Sequence, residues 1–590
     1  MIIQRSTITF PITGKALFVV LLVLLFCKTS NATTYYLTTT GSDSNTGTSL
    51  TTGFASFSYA ISKIVAGDLL YVRTGTYTCG SRVELSKNGS AGKLITVMAY
   101  PSDIVVASDR PILNFSGMAA GSSNQGLHVT GGYWYIKGLR IRGAGDNGML
   151  METAAATQNI VEFCDFYENR DAGCQIRKSA SNDQFINCDA YNNADMGTGT
   201  TSNGGNADGF SPKLDLGENI AFTNCRSWAN SDDGWDGYLK CTEAGLPDNM
   251  TTYLTNCWAF NNGHYWLDGT TNTNMNGNGI KMGGSTNKDQ AHNFIVKNCL
   301  SYNNKSKGFD QNNNAGSITL YNCTSVKNGA QDFALNSSGV TYAANSVFTV
   351  INCVEFGTTG TAFKTGTTLT TNNFATASTD YESVDSTGLS AQRKPDGSLP
   401  DISFMHPKTG SKLIDVGTNV GIAYNGTKPD LGYWETPLLT TTINQNINLV
   451  VGWNLISLNV SPTNKSIDSI FKAVITNVTE IKTADGFWRS GQTSILNSLK
   501  TVADGAAYLV YMKAAGTIIV SGTALNPTIG TIKTGWQLLG CPFQASTAIA
   551  TAFTTTTITE IKNFASYWSS TGTGTLLSID PGKGYFVKGK

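Results

Sequence analysis

The chain has 590 residues, enough for a large core and at least one further domain, and its 41 basic and 41 acidic side chains balance. That balance argues against a nucleic-acid partner. Charged residues make up only 14 % and there are 62 glycines, a composition that suits an extracellular β-protein with many tight corners.

Arg5 and Lys15 precede an apolar run over 16–27, and Ser30, Asn31 and Ala32 offer a small-residue cleavage site. Residues 1–32 are therefore expected to be a secretory signal peptide. About 12 apolar residues are too few to span a bilayer, and Phe26 is too large to precede a lipoprotein cysteine at Cys27. No later stretch is long and apolar enough to cross, so no membrane insertion is expected. Removing Arg5, Lys15 and Lys28 leaves 38 basic against 41 acidic residues, a mature charge of −3. From Thr33, YYLTTTGSDSNTGTS leads into FASFSYAISKIVAGD, whose apolar spacing predicts a short amphipathic helix, and then into LLYVRTGTYT. A helix here would cover an open strand edge at the start of a sheet structure.

A repeat follows. Cys164, Cys188, Cys225, Cys257, Cys299 and Cys323 are each followed five residues later by Asn169, Asn193, Asn230, Asn262, Asn304 and Asn328. At plus three stands a large residue (Tyr167, Tyr191, Trp228, Phe260, Tyr302, Val326). Registration over turns of roughly 24 to 42 residues marks a solenoid. The short strand-like pieces between Asn/Gly-rich corners, as in NFIVKNCLSYNN, make it a parallel β-helix. The Asn column is expected to be an amide ladder at a corner. Twelve cysteines in an exported chain would ordinarily form disulfides, but those of the 164–353 series recur at one repeat position and are expected to point inward as small hydrophobes. Cys79, Cys174, Cys241 and Cys541 lie outside the column, and no pairing is assigned to them.

Glycines give a second register: Gly209, Gly234, Gly279 and Gly308 precede Phe210, Trp235, Ile280 and Phe309. Stacked turns lie about 4.8 Å apart, so Asp208 becomes a neighbour of Asp233, Asp236 shares a column with Lys281, and Asp232 sits in the adjacent corner. Four carboxylates this close repel unless a cation sits among them, and an all-oxygen set without His or Cys suits a hard ion such as Ca²⁺. Insertions near 196–205 and 265–276 flank these residues. Trp235, Tyr238, Tyr265 and Trp266 either stack on sugar there or pack the corners.

The motifs NADGFSPK, NSDDGWD, GNGIKMGG and SKGFDQNNNAG are similar to those of family 9 polysaccharide lyases, the parallel β-helix pectate lyases, and the resemblance covers roughly 33–435. It implies a right-handed β-helix domain over 33–437, a calcium site on Asp208, Asp232, Asp233 and Asp236, and Lys281 as the Brønsted base. It also places Lys213, Asn312 and Asn313 in matching motifs as substrate contacts. With the signal peptide, the implied enzyme is expected to be secreted, extracellular or cell-surface associated, and a monomer is expected. It cuts an acidic polysaccharide, polygalacturonate, by β-elimination to 4,5-unsaturated oligogalacturonides. Trp235 and Ile280 stand where the family usually has Phe and keep a large apolar side chain. A lysine base must be neutral, from an ordinary value of about 10.4, which predicts activity rising toward alkaline pH. Two other functions fit the same residues. A glycoside hydrolase would use the aspartates as acid and base and survive chelation. A non-catalytic adhesin would use calcium for stability and bind glycan without turnover.

The β-helix is expected to close near KPDLGYWE (428–435), with a Thr/Asn-rich linker over 438–448. Within 449–590, GWNLISL returns as GWQLLGC, VTEIK as ITEIK, Trp488 as Trp568, and GAAYLVYMK as GKGYFVKGK. These two copies of about 80 residues read as short strands, so the whole chain is all-β, a β-helix followed by a smaller β-rich accessory domain. The copies resemble the Trp-Asn-Leu-Ile-Ser repeats of bacterial secreted enzymes, which leaves glycan binding, surface attachment and spacing open.

Overall fold

The structure is a computed structural model that describes residues 32–195, 204–264, 275–357, 360–437, 442–525, 529, 531–553 and 557–590. The expected signal peptide, but for Ala32, and the stacking candidates Tyr265 and Trp266 lie outside them. Two compact units divide the chain, Met1–Pro437 and Leu438–Lys590.

In the first unit the described strands form three parallel sheets of twelve, ten and ten strands, a parallel β-helix. One turn shows why. His292–Lys297 alternates buried and half-buried residues, so His292, Phe294 and Val296 fill the interior, as a strand's period of two requires. Asn298 then turns the chain at φ 52°, Leu300–Tyr302 forms the next side, and Asn303 turns it again at φ 49° before Lys307–Asp310. The first corner recurs as Asn187, Asn224, Asn256, Asn298, Asn322 and Asn352, all left-handed, a conformation that Asn tolerates better than most residues. Their side chains bond between turns, Asn224 to Asn187 at 3.1 Å and Asn256 to Asn224 at 2.7 Å.

The Asn column five residues after each Cys is a buried ladder. Each Nδ2 donates to the next Oδ1 at 2.8 to 2.9 Å from Asn169 through Asn193, Asn230, Asn262 and Asn304 to Asn328. The same oxygens accept the backbone N–H of the preceding rung, which satisfies groups that the bent corner leaves outside the sheet pattern. Asn262→Ala is therefore expected to cost about 1 to 3 kcal/mol, measured as a lower midpoint in urea unfolding. All eleven cysteines of the described residues are free and buried. Cys174 is no exception: it packs inward beside Phe210 on the neighbouring turn.

The plus-three column is an aromatic stack. Tyr167, Tyr191, Trp228 and Phe260 lie nearly parallel with centroids 5.1, 4.4 and 5.4 Å apart. At the beginning of the unit, the helix Phe57–Lys63 buries Phe57, Ala60 and Ile61, and Lys87 donates to the carbonyls of Ile61, Ser62 and Ile64 near its C-terminus. A cation suits that end of the helix.

In the second unit, Gly452–Ser457, Ala507–Met512, Val478–Lys482 and Phe487–Arg489 form one antiparallel sheet. Gly535–Gly540, Gly584–Gly589, Ile558–Lys562 and Tyr567–Ser569 form another in the same order. The stretch expected to be linker is strand from Thr442: Thr442–Leu449 pairs with Gly516–Ala524. Its alternate residues Ile447 and Leu449 are buried, and that spacing suits a strand rather than a linker.

Candidate active site

The site lies on one ten-stranded sheet, where the glycine register places the residues. Phe210, Trp235, Ile280 and Phe309 pair in one column, and Asp236, Lys281 and Asp310 pair in the next. Side chains alternate across a strand, so the first column fills the interior and the second faces outward. Turns this close need glycine at the corner. A Cβ on Gly234 would lie 2.5 Å from the Gly279 carbonyl and 2.9 Å from Asn262 Nδ2.

Oxygens of Asp208, Asp233 and Asp236 lie within 4.8 Å of one another, and all three residues are buried. Two ammonium groups reach them. Lys213 Nζ is 2.7 Å from Asp208 and 3.2 Å from Asp236, while Lys281 Nζ is 2.9 Å from Asp233 and 3.2 Å from Asp236. Asp232 is outside the 4.8 Å group, but it is buried in the adjoining corner with Oδ1 lacking any hydrogen-bond partner. The backbone N–H and the side-chain amide of Asn278 both donate to Asp233 Oδ1, at 2.6 and 2.8 Å.

Burial dominates the electrostatics. It pushes the Asp208 carboxyl up to about 7 against the pull of Lys213, and lifts Asp233 and, further, Asp232 above the usual range. Asp236 is buried too, but Lys281, Lys213 and the Tyr238 N–H outweigh that and bring it down to about 2. Burial works against the charge on Lys281, yet Asp233 and Asp236 raise its ammonium well above the ordinary value. Asp208, Asp233 and Asp236 thus face two lysines, and their carboxylates, with the orphaned Asp232 Oδ1 in the adjoining corner, offer oxygen ligands only. This set fits a hard divalent cation.

Sequence reasoning did not assign a role to Asn278, although the glycine register puts it in the same column as Asp208 and Asp233, and it did not see that Lys213 pairs with two of the aspartates. Asn312, left-handed at φ 44°, donates from Nδ2 to the Gly283 carbonyl and from its backbone to Asp310 Oδ1. The Asn313 N–H donates to Ser337 Oγ. Both asparagines are half-buried just after Asp310, the residue paired with Lys281. Trp235 offers no surface to a sugar: it is fully buried and stacked on Phe210 at 5.2 Å. Tyr238 is half-buried with its ring centroid 6.0 Å from Lys281 Nζ.

Residues 35–345 match the family model described as Pel9A-like, right handed beta helix region. Pectate lyase L of Dickeya chrysanthemi is 35 % identical over 414 residues, 68 % of this chain and 90 % of that one. The chain belongs to the Pel9A-like right-handed β-helix family. Pectate lyase L of Paenibacillus polymyxa (strain SC2) is 36 % identical over 380 residues, 61 % of this chain and 79 % of that protein. Among solved structures, the crystal structure of pectate lyase Pel9A superposes with a TM-score of 0.60 at 32 % identity, covering 69 % of this chain and 97 % of that one. A rhamnogalacturonan lyase superposes with a TM-score of 0.53 at 25 % identity, covering 64 % and 97 %. The Pel9A-like match contains all eight site residues singled out from the sequence, and the second unit lies beyond it.

Proposed function

We propose that this polysaccharide lyase is a calcium-dependent pectate lyase that cleaves polygalacturonate by β-elimination and leaves 4,5-unsaturated oligogalacturonides. The observation that carries the reading is Lys281 Nζ held at the outer face of the sheet by Asp233 and Asp236, beside a cluster of buried carboxylates. The relatives at 35 and 36 % identity are both pectate lyase L. Ca²⁺ held by Asp208, Asp232, Asp233 and Asp236 would neutralise the uronate carboxylate, acidify the C5 proton and offset the aspartates that keep Lys281 protonated.

Neutral Lys281 takes the C5 proton. The C5–H electron pair becomes the C4=C5 double bond as the C4–O bond breaks, and the departing oxygen takes a proton from solvent. Asp233 and Asp236 orient the Lys281 amine, and Asn278 fixes Asp233 in turn. Lys213 holds Asp208 and Asp236 in place at the rim, with Asn312 and Asn313 as substrate contacts. A hydrolase fits less well, because a glycosidase pair flanks the scissile bond as a separate acid and base, whereas Asp208, Asp233 and Asp236 form one buried cluster tied to Lys213 and Lys281. Export through residues 1–32 would deliver the enzyme to an extracellular polymer.

The test is ultraviolet absorbance of polygalacturonate and of rhamnogalacturonan incubated with the protein, with calcium and with chelator. Absorbance should grow on polygalacturonate, stop on chelation and return with added calcium. New reducing ends without absorbance would mean a hydrolase, and product from rhamnogalacturonan alone would move the substrate to that backbone.

A further inference from the structure

The second unit carries eleven Lys and Arg against six Asp and Glu, a net +5, while 33–437 carries 27 against 35, a net −8. The positive charge meets exposed aromatic rings on both repeat sheets. Residues directly opposite in antiparallel strands share a face, so Trp453, Tyr511, Glu480 and Arg489 form one outward row. Lys482 stands two residues along, opposite Leu509 and Phe487. The second sheet repeats the arrangement. Trp536, Lys588 and Glu560 form the row, with Lys562 opposite Phe586 and Tyr567. The inward rows hold Ile481 with Val510 and Trp488, and Ile561 with Val587 and Trp568.

Each repeat therefore turns one tryptophan to the core and one to solvent. Trp453 is 40 % exposed and Trp536 45 %, and Tyr567 is half-exposed as well. Lys482 Nζ lies 5.3 Å from the Trp453 ring centroid. Lys562 and Lys588 lie 4.2 and 5.8 Å from that of Trp536. Glu480 pairs with Lys482 and Arg489, at 2.9 and 2.5 Å, and Glu560 pairs with Lys588 at 3.4 Å. One carboxylate against two cations leaves each face one positive charge in excess. Packing does not explain an outward tryptophan kept at the same position in two diverged copies, since the inward row is already filled by Trp488 and Trp568.

A flat apolar ring beside an ammonium matches the two sides of a uronic acid residue: the pyranose C–H face stacks on the indole, and the C6 carboxylate takes the cation. We propose that the second unit docks acidic polysaccharide, with one uronate subsite on each repeat sheet, Trp453 with Lys482 and Trp536 with Lys562 and Lys588. The choice of a uronate polymer over other polyanions rests on the proposed lyase activity; the sites themselves rest on the two repeated faces. Two weak subsites in one chain gain affinity together on a long polymer, so loss of both is expected to cost far more than loss of one.

The experiment is native electrophoresis of the full chain in gels cast with soluble polygalacturonate and chelator, which keeps turnover silent. The protein should be retarded, and the Trp453→Ala, Trp536→Ala pair should bind about tenfold more weakly through lost stacking and lost bivalency. A Lys482→Gln, Lys562→Gln, Lys588→Gln variant should lose comparable affinity, and fully methyl-esterified pectin should retard the native chain less than polygalacturonate. Retardation unchanged in the tryptophan pair, or retardation of the native chain by polyglutamate equal to that by polygalacturonate, would reduce the interaction to unspecific charge and overturn the proposal. The tryptophan pair should keep native lyase activity on soluble oligogalacturonides, which shows that the first unit folds, and a native melting curve, which shows that the second unit does. Absence of that activity in native chain and variant alike would overturn the lyase reading while the retardation comparison still decides the docking sites.

Discussion

Replacing Lys281 by Ala is expected to lower kcat on polygalacturonate by about a hundred- to ten-thousand-fold, the usual contribution of a positioned general base, with a much smaller change in KM. The reasoning starts from position. Lys281 pairs in register with Asp236 and Asp310 on the outer face, and its Nζ touches Asp233 and Asp236 while 17 % of its side chain remains open to solvent. Lys213 is the rival base, since it contacts the same Asp236 from the other side. Parallel assays of Lys281→Ala and Lys213→Ala separate them. Both should be read as unsaturated product, with melting curves to show that removing one ammonium from buried carboxylates has not unfolded the turn. An active Lys281→Ala with an inactive Lys213→Ala would exchange the roles. The aspartates raise the Lys281 ammonium against the effect of burial, so the neutral fraction grows with pH and native activity should rise toward the alkaline side.

The site was legible in the sequence to the extent that it is periodic. Cys, Asn and Gly recur at fixed offsets because each sits at a corner or interior position that every turn repeats, and lining up Gly234 with Gly279 is enough to set Asp236 beside Lys281. The same periodicity marks the left-handed asparagines before the cysteines, from Asn187 to Asn352, a corner column distinct from the Asn ladder that follows the cysteines. Direction was harder. Trp235 directly follows a corner glycine, so a shift of one residue decides between interior and groove, and only the paired register with Phe210 and Ile280 puts it inside. Contacts that leave the repeat carry no such mark. Lys213 folds back onto Asp208 five residues away, and Arg393 reaches Asp189 across 204 residues of sequence.

That last contact should matter most for stability. Asp189 receives Arg226 through Nε and Nη2, at 2.9 and 2.7 Å, and Arg393 through Nε and Nη2, at 3.0 and 2.7 Å. The remaining guanidinium N–H groups donate to the carbonyls of Leu389, Ala391, Gly397, Cys188 and Asn224. The three buried charges thus fasten the segment around 389–397 to the turn that carries the aromatic stack. Asp189→Asn would leave two guanidinium groups in the interior without their counter-charge, a loss expected to cost about 3 to 5 kcal/mol in urea unfolding. The exposed pair Lys394–Asp401 gives the contrast, since Asp401→Asn should cost under about 1 kcal/mol. Acid tells the two apart as well. Burial raises the Asp189 carboxyl, but Arg226 and Arg393 more than reverse this and hold it below the usual carboxylate range. Its stabilisation is therefore complete above the unfolded value of about 3.9 and fades as pH falls toward the lower folded value. The gap between native chain and Asp189→Asn should be constant from neutral pH down to that point and narrow below it. A gap independent of pH throughout the acid range would mean that packing of the two arginines, rather than the charge on Asp189, fastens the segment.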